Sequence, residues 1–415
     1  MERKHKVQKT NPGANWNKLI AFTLVILGIS GGAGCGTLPR NPVPLEKMSV
    51  AEVAGMSGVR AWGGRLDQAF QQDLLASVKQ EQLGMFRHAD GTVAYSVLSL
   101  SGGGQNGAFA AGFLKGWTGS GKRPVFKLVT GISTGALIAP FAFLGQDYDQ
   151  LLEKYYTGIR SKDIFKMRSL LEVFGKDSIA DSKPLAGLIA KLVDKTMLKK
   201  IAEAHAQGLR LYIGTANLDA ENIVVWNMGL IASSGHPKAL DLFRSVMLAS
   251  ASIPIVFSPV YIAVEVDGNT YDEMHVDGGT LNQVFFYAGI LNLNQAAEEM
   301  GVLSSKIKGA IYIIRSGKLD SEAKQTERKL KEIVPRTVSA MIKAQALGDL
   351  YRIYAFTKRD SIDFNYVGIP EDYEWVSTEE FDPVEMKRLF DLGYKVALSK
   401  NPWMKTPPGL AETSR

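Results

Sequence analysis

The 415 residues contain a single cysteine, Cys35, so no internal disulfide can form. Histidine is nearly as scarce. The 5 residues are His5, His88, His205, His236 and His275, and the last 140 positions have none. Chemistry that needs a late histidine is therefore excluded. No Asp or Glu occurs between Asp90 and Asp147, which removes the acid that a dinucleotide site there would need to hold a ribose. The apolar run Leu19–Ile29 covers only eleven residues, too few to span a bilayer comfortably. There is no internal repeat, no low-complexity tract and no cluster of His, Cys and acidic residues with metal-ligand spacing.

What the chain does have is an acid-free stretch built twice on one plan. Thr92–Leu100 is β-branched and aliphatic, and is followed by Ser101-Gly-Gly-Gly-Gln-Asn-Gly107 and an apolar run to Trp117. Val125–Val129 leads in the same way into Thr130-Gly-Ile-Ser-Thr-Gly135 and a run to Phe143. Each half predicts a strand, a glycine turn and a helix whose N-terminus faces the strand end, where free N–H groups favour negative charge.

Gly131 and Gly135 flank Ser133 at i−2 and i+2, where side chains would collide if a strand turned sharply into a helix. Such an elbow projects the serine Oγ above the sheet and offers the next amide to an oxyanion. Residues 102–107 also spell Gly-x-Gly-x-x-Gly, but they lack the ribose acid and the Gly-Lys-Ser/Thr of a Walker loop. Two readings remain for that turn: a plain tight turn, and an oxyanion-binding loop, which fits better.

The first 18 residues carry Arg3, Lys4, Lys6, Lys9 and Lys18 against Glu2. With Leu19–Ile29 and Ser30–Gly34 they make residues 1–34 a secretory leader. Cys35 after Gly-Ala-Gly resembles the lipobox of bacterial lipoproteins, with Gly32 where that family usually has leucine. A plain cleaved signal or a retained anchor are the other readings. Removing the leader lowers the net charge from +6 to +2, which gives no reason to propose nucleic acid. Residues 35–64, with Pro39, Pro42 and Pro44, read as a tether. Arg65–Gln82 reads as an amphipathic helix and 145–205 as a helical cap.

Further strands are expected at 209–216, 222–227, 308–314 and 362–366, with a hairpin at 260–266 and 270–276. Helices are expected at 237–252 and 335–356. The main domain then spans 65–370, and 371–415 is a peripheral tail.

An activated serine needs a base, and the histidines do not follow the usual Ser, acid, His order. Asp277, in Val276-Asp-Gly-Gly279, is the alternative: a carboxylate on a glycine turn approaches another loop unobstructed. Taken alone it is also an ordinary turn aspartate. His275 points the opposite way from Val276 and reads as a surface or supporting residue.

Together these residues resemble the patatin-like phospholipase family. Gly102–Gly107 match its oxyanion motif, Gly131–Gly135 its elbow, Ala249–Pro254 with Phe257–Val260 a third block, and Asp277–Gly279 its Asp-Gly-Gly turn. The blocks cover about residues 93–285. Asn106 stands where the family often has Lys or Arg.

The resemblance implies an α/β fold, a three-layer α/β/α sandwich with a mostly parallel central sheet. It implies a Ser133–Asp277 dyad without cofactor or metal, and an oxyanion hole at Gly102, Gly103 and Gly104. The expected function is a lipid acyl hydrolase, held at the membrane of the cell envelope through Cys35 and acting on membrane lipid. The alternatives are a thioesterase, acyltransferase or small-ester esterase with the same dyad, and a non-catalytic envelope lipoprotein.

Overall fold

The structure is a computed structural model that describes residues 38–410 apart from 83, 89, 91, 288, 300–306 and 321. The leader 1–34 and Cys35 lie outside the described residues.

The strands in chain order are β1 (Arg60–Trp62), β2 (Val93–Leu100), β3 (Leu128–Gly131), β4 (Lys166–Met167) and β5 (Ala180–Asp181). They continue as β6 (Arg210–Asn217), β7 (Asn222–Asn227), β8 (Val260–Val266), β9 (Asn269–Asp277), β10 (Ile307–Ile314) and β11 (Ile362–Val367). The main helices are α1 (Gln68–Lys79), α2 (Gly107–Gly119), α3 (Thr134–Leu144), α4 (Asp149–Gly158), α5 (Lys183–Leu192), α6 (Lys195–Ala206), α7 (Ala239–Ser250), α8 (Leu330–Arg359) and α9 (Pro383–Ala397).

The central sheet runs β1-β7-β6-β3-β2-β10-β11, with β9 added to β6 and β8 to β9. The five strands from β6 to β11 are mutually parallel. Their sequences are apolar on both faces because both faces are covered. Leu98 and Leu100 pack on one side with Phe109, Phe243 and Leu389 of α2, α7 and α9. Val97 packs on the other with Phe70 of α1 and Leu350 of α8. The result is the three-layer sandwich, its central sheet mostly parallel as expected.

Register sets the place of the site. Leu100 pairs with Gly131 on one side and Ile314 on the other, so three strands end level. That edge, at the carboxyl ends of parallel strands, is where open α/β sheets hold ligands. The antiparallel strand β9 comes down from beyond the edge, and its last residue, Asp277, pairs with Thr215 of β6.

Three expectations need correction. Residues 38–62 are not a tether. Val43, Ala51, Val53 and Met56 are buried, Glu52 exchanges both backbone hydrogen bonds with Glu265 at 3.1 and 2.8 Å, and β1 joins β7. The prolines there mark an edge segment, which has no partner for a missing N–H. Nor is the C-terminal region peripheral. α9 is capped by Asp382 with Pro383 at its first turn, and Met386, Leu389 and Phe390 are buried against α2. The strand expected at 125–129 begins only at Leu128; Val125 is 56% exposed, and Lys127 turns in to pair with Glu81 at 2.6 Å.

The contact of α2 with α9 depends on glycine. A Cβ on Gly112 would lie 2.0 Å from the Phe390 carbonyl oxygen, and one on Gly393 2.2 Å from that of Phe109. Backbone therefore lies on backbone, with no room for a methyl group.

Candidate active site

Ser133 lies between β3 and α3 with φ 55° and ψ −125°, a conformation that a residue with a Cβ rarely adopts. The flanking glycines let the turn close. A Cβ on Gly131 would fall 2.5 Å from the Gly135 oxygen, and one on Gly135 2.3 Å from the Leu100 oxygen. The strained serine is held from below by Ser250, at the end of α7. The Ser250 hydroxyl accepts the Ser133 N–H at 3.0 Å and donates to the Gly214 carbonyl at 2.7 Å. One fully buried hydroxyl thus ties the elbow to β6. Sequence sets Ser250 in the helix expected at 237–252 but does not show what it faces.

Asp277 is brought to Ser133 from a different part of the chain. Its N–H donates to the Ser252 oxygen at 2.8 Å, and its Oδ1 accepts the Gly279 N–H at 2.7 Å. A Cβ on Gly278 would meet the Gly214 oxygen at 2.6 Å, so the strand end can seat only with glycine there. Burial raises the Asp277 carboxyl to about 7, against the opposing pull of hydrogen bonds from the Ser133 hydroxyl and the Gly279 amide. Desolvation is the largest of the three effects.

The glycine loop closes a third side. The Gly102 N–H is already donated to the Gln283 oxygen at 3.0 Å, which removes it from the three expected oxyanion donors. Gly102 instead packs at the serine, where a Cβ would stand 3.2 Å from the Ser133 Cβ. Gly103 (φ 157°) presses on β10's continuation, where a Cβ would meet the Ser316 oxygen at 2.1 Å. The Ser316 N–H in turn donates to the Ser101 hydroxyl at 2.9 Å. Among the described residues, the N–H groups of Gly103, Gly104 and Thr134 have no carbonyl partner. Free amides around a serine can hold an oxyanion.

From Gly104, Ser133 and Thr134 an apolar cavity runs outward. Its walls include Leu137, Phe141, Leu188, Ile189, Met247 and Phe257. Helices α4 and α5 form much of them, which gives the expected cap at 145–205 its place.

The described histidines are elsewhere. His275 is fully buried, not at the surface. Its Nδ1 meets the Thr215 hydroxyl at 2.9 Å and its Nε2 the Glu273 carboxylate at 3.1 Å. Glu273 also pairs with buried Arg60. His205 packs beside Asp73 at 3.5 Å, and burial lowers it to about 4. Neither His88 nor His236 is bonded to the serine or to Asp277. Among the described residues, no group of three or more His, Cys, Asp or Glu side chains is placed to hold a metal.

Residues 98–289 match the family model described as patatin-like phospholipase. No curated protein matches the chain. Among solved structures, VipD from Legionella pneumophila is similar over 75% of this chain and 68% of its own, at 12% identity and a TM-score of 0.36. Human GIVD cytosolic phospholipase A2 is similar over 75% of this chain and 52% of its own, at 11% identity and a TM-score of 0.28. The matched segment holds the glycine loop, the serine elbow and Asp277, and residues 98–289 of this chain carry a patatin-like phospholipase domain.

Proposed function

We propose that this protein is a lipid acyl hydrolase working through Ser133 and Asp277. The observation that carries the reading is a strained serine facing a buried carboxylate at the inner end of an apolar cavity. Asp277 takes the Ser133 proton as Oγ attacks the ester carbonyl. The carbonyl oxygen becomes an oxyanion facing the amides of Gly103 and Gly104, with Thr134 as a further donor. Each such donor is typically worth roughly 2.7–4 kcal/mol. Collapse breaks the ester C–O bond, and the alcohol leaves with the proton from Asp277. Water, deprotonated by Asp277, then releases the acid from the acyl-enzyme.

The cavity favours long-chain esters over the small-ester and soluble-thioester readings, because its walls offer an acyl chain apolar contact far from the serine. Incubation with a fluorophosphonate should add one adduct, on the peptide bearing Ser133, and a mixed membrane-lipid extract should yield free fatty acid. An adduct on Ser99 or Ser101, or release of short acids only, would refute this reading.

Ser250→Ala should keep the fold but leave two buried backbone groups unpaired, at a cost of roughly 1–3 kcal/mol each. We expect a lower Tm and about a tenfold fall in kcat, as the elbow loses its brace. Ser250→Thr, which restores the hydroxyl, should recover part of both. An unchanged kcat in the alanine variant would show that the elbow holds without Ser250.

We further propose that Cys35 is lipidated and holds the protein at a membrane. Among the described residues no helix is long and apolar enough to cross one. Cys35→Ser should leave the protein less firmly held in the membrane fraction and lower its mass by the lipid.

A further inference from the structure

Beside the outer wall of the cavity, three short segments form a ribbon. β4 pairs with β5 through Met167 and Ala180. On the other side of β5, the Ile179 and Ala180 N–H groups donate to the Ile255 and Val256 oxygens at 3.0 and 2.9 Å. The ring of Phe165, just before β4, packs on the cavity residues Phe257 and Phe381 at 5.9 and 6.5 Å. The ribbon is thus continuous with the lining of the site.

The ribbon and the segment that links β4 to β5 carry exposed apolar side chains. Leu171 is 84% exposed, Phe174 66% and Ile255 54%, with Met167 exposed as well. Ile255 has φ 74°, a strained backbone for a β-branched residue. That strain displays an apolar side chain to water. Exposed apolar side chains collected at the rim of an apolar cavity mark a surface that meets another phase or partner. Lys162, Lys166 and Lys176 are exposed around them, and Glu172 is the one acid between 166 and 176.

The N-terminal segment arrives at the same place. Arg40 lies over the Tyr261 ring at 5.5 Å, and burial and then the neighbouring Asp177 carboxylate, at the ribbon's base, raise the Tyr261 hydroxyl's pKa. Cys35 precedes Leu38 by three residues, a reach of about 10 Å when extended.

We propose that the ribbon, led by Leu171 and Phe174 with Lys166 and Lys176 beside them, docks this domain on an anionic phospholipid bilayer, so that a lipid chain passes from the membrane into the cavity. Apolar side chains that enter the acyl boundary, flanked by lysines at the headgroups, are the combination such a surface binds. This rests on the lipid-hydrolase reading only for the fate of the lipid.

The test uses Cys35→Ser protein, to remove lipidation, and vesicles of phosphatidylcholine with or without phosphatidylglycerol. The double variant Leu171→Asp with Phe174→Asp should bind the mixed vesicles at least tenfold more weakly. It should lose vesicle hydrolysis to match, and keep hydrolysis of monomeric p-nitrophenyl butyrate within twofold. Lys166→Glu with Lys176→Glu should erase the preference for anionic vesicles. Undiminished vesicle binding by the first variant would overturn the docking surface, and so would an equal loss on the soluble ester, which would mean the ribbon shapes the site. If the residues instead drive self-association without vesicle binding, a second copy is the occupant and the proposal is wrong. Vesicle binding that depends on the ribbon, by a protein that cleaves neither substrate, would sink the catalytic reading and leave the docking surface standing.

Discussion

Asp277→Asn should lower kcat by roughly 10²–10⁴-fold or more, the usual contribution of a positioned base, with little change in KM. The amide keeps the shape and can still accept the Gly279 N–H, but it cannot take the Ser133 proton. His275→Ala and His236→Ala should both remain active, since neither ring is bonded to Ser133 or Asp277. In the proposed dyad the carboxylate alone is the base, and burial raises that carboxyl to about 7. Activity should therefore rise with pH through about 7 and fall away below it. An imidazole would titrate in the same range, so the variants and not the pH profile decide the assignment.

The same shift has a stability sign. Between the unfolded value near 3.9 and about 7, the folded state holds a proton that the unfolded state has lost. Stability contributed by this group therefore falls as pH rises across that window, and the full penalty stands above it. Asp277→Asn should melt higher than wild type at pH 8, by an amount on the order of a few kcal/mol at most, and the gap should close toward pH 4. A histidine variant without activity, beside an Asp277→Asn enzyme within a few-fold of wild type, would require a triad in place of the dyad.

The second large effect is structural. In an exposed helix Gly→Ala stabilises by roughly 0.5–1 kcal/mol. At Gly112 and Gly393 the sign should reverse, because the added Cβ would meet backbone oxygen at 2.0 and 2.2 Å and backbone cannot swing aside. Overpacking of this kind costs roughly 1–3 kcal/mol, occasionally more. Pushing α2 off α9 also moves the glycine loop, since α2 begins at Gly107. Both alanine variants should show a lower Tm by calorimetry and reduced turnover, and Gly393→Val should not fold to a soluble product. A rise in Tm for either alanine variant would mean that the helices do not touch as described.

The legible parts of this site are those whose requirement is local. A serine between glycines, an aspartate before two glycines and a glycine loop after a strand each announce a backbone shape within a few residues. Their meeting could be expected only through the family resemblance, since Ser133 and Asp277 are 144 positions apart. The contacts of Ser250, Gln283 and Ser316 went unread because their partners are Ser133, Gly102 and Gly103, which no local pattern predicts. Gly102 misled for the same reason: a distant carbonyl takes its amide. Helix α9 is a different case. Asp382, Pro383 and the spacing of Met386, Leu389, Phe390 and Gly393 are an ordinary helix signal, obscured by the polar, proline-bearing sequence on either side. In 38–62, Val43, Ala51, Val53 and Met56 form no regular period: Val43 and Ala51 pack on the hairpin residues Val264 and Val266, while Val53 and Met56 join the main core.

The order in which the chain is made gives the placement of β10 and α9 a further meaning. A nascent chain that has reached residue 289 already contains the serine, the aspartate and both glycine turns. It lacks Ser316, against which Gly103 is seated, and the helix that holds α2. The edge of β2 is unpaired at that stage as well. Ser133 and Asp277 are made before the contacts that seat the glycine loop beside them. On the proposed mechanism, lipid cleavage would begin only once β10 and α9 have been made, and chains that stop before them would be inactive.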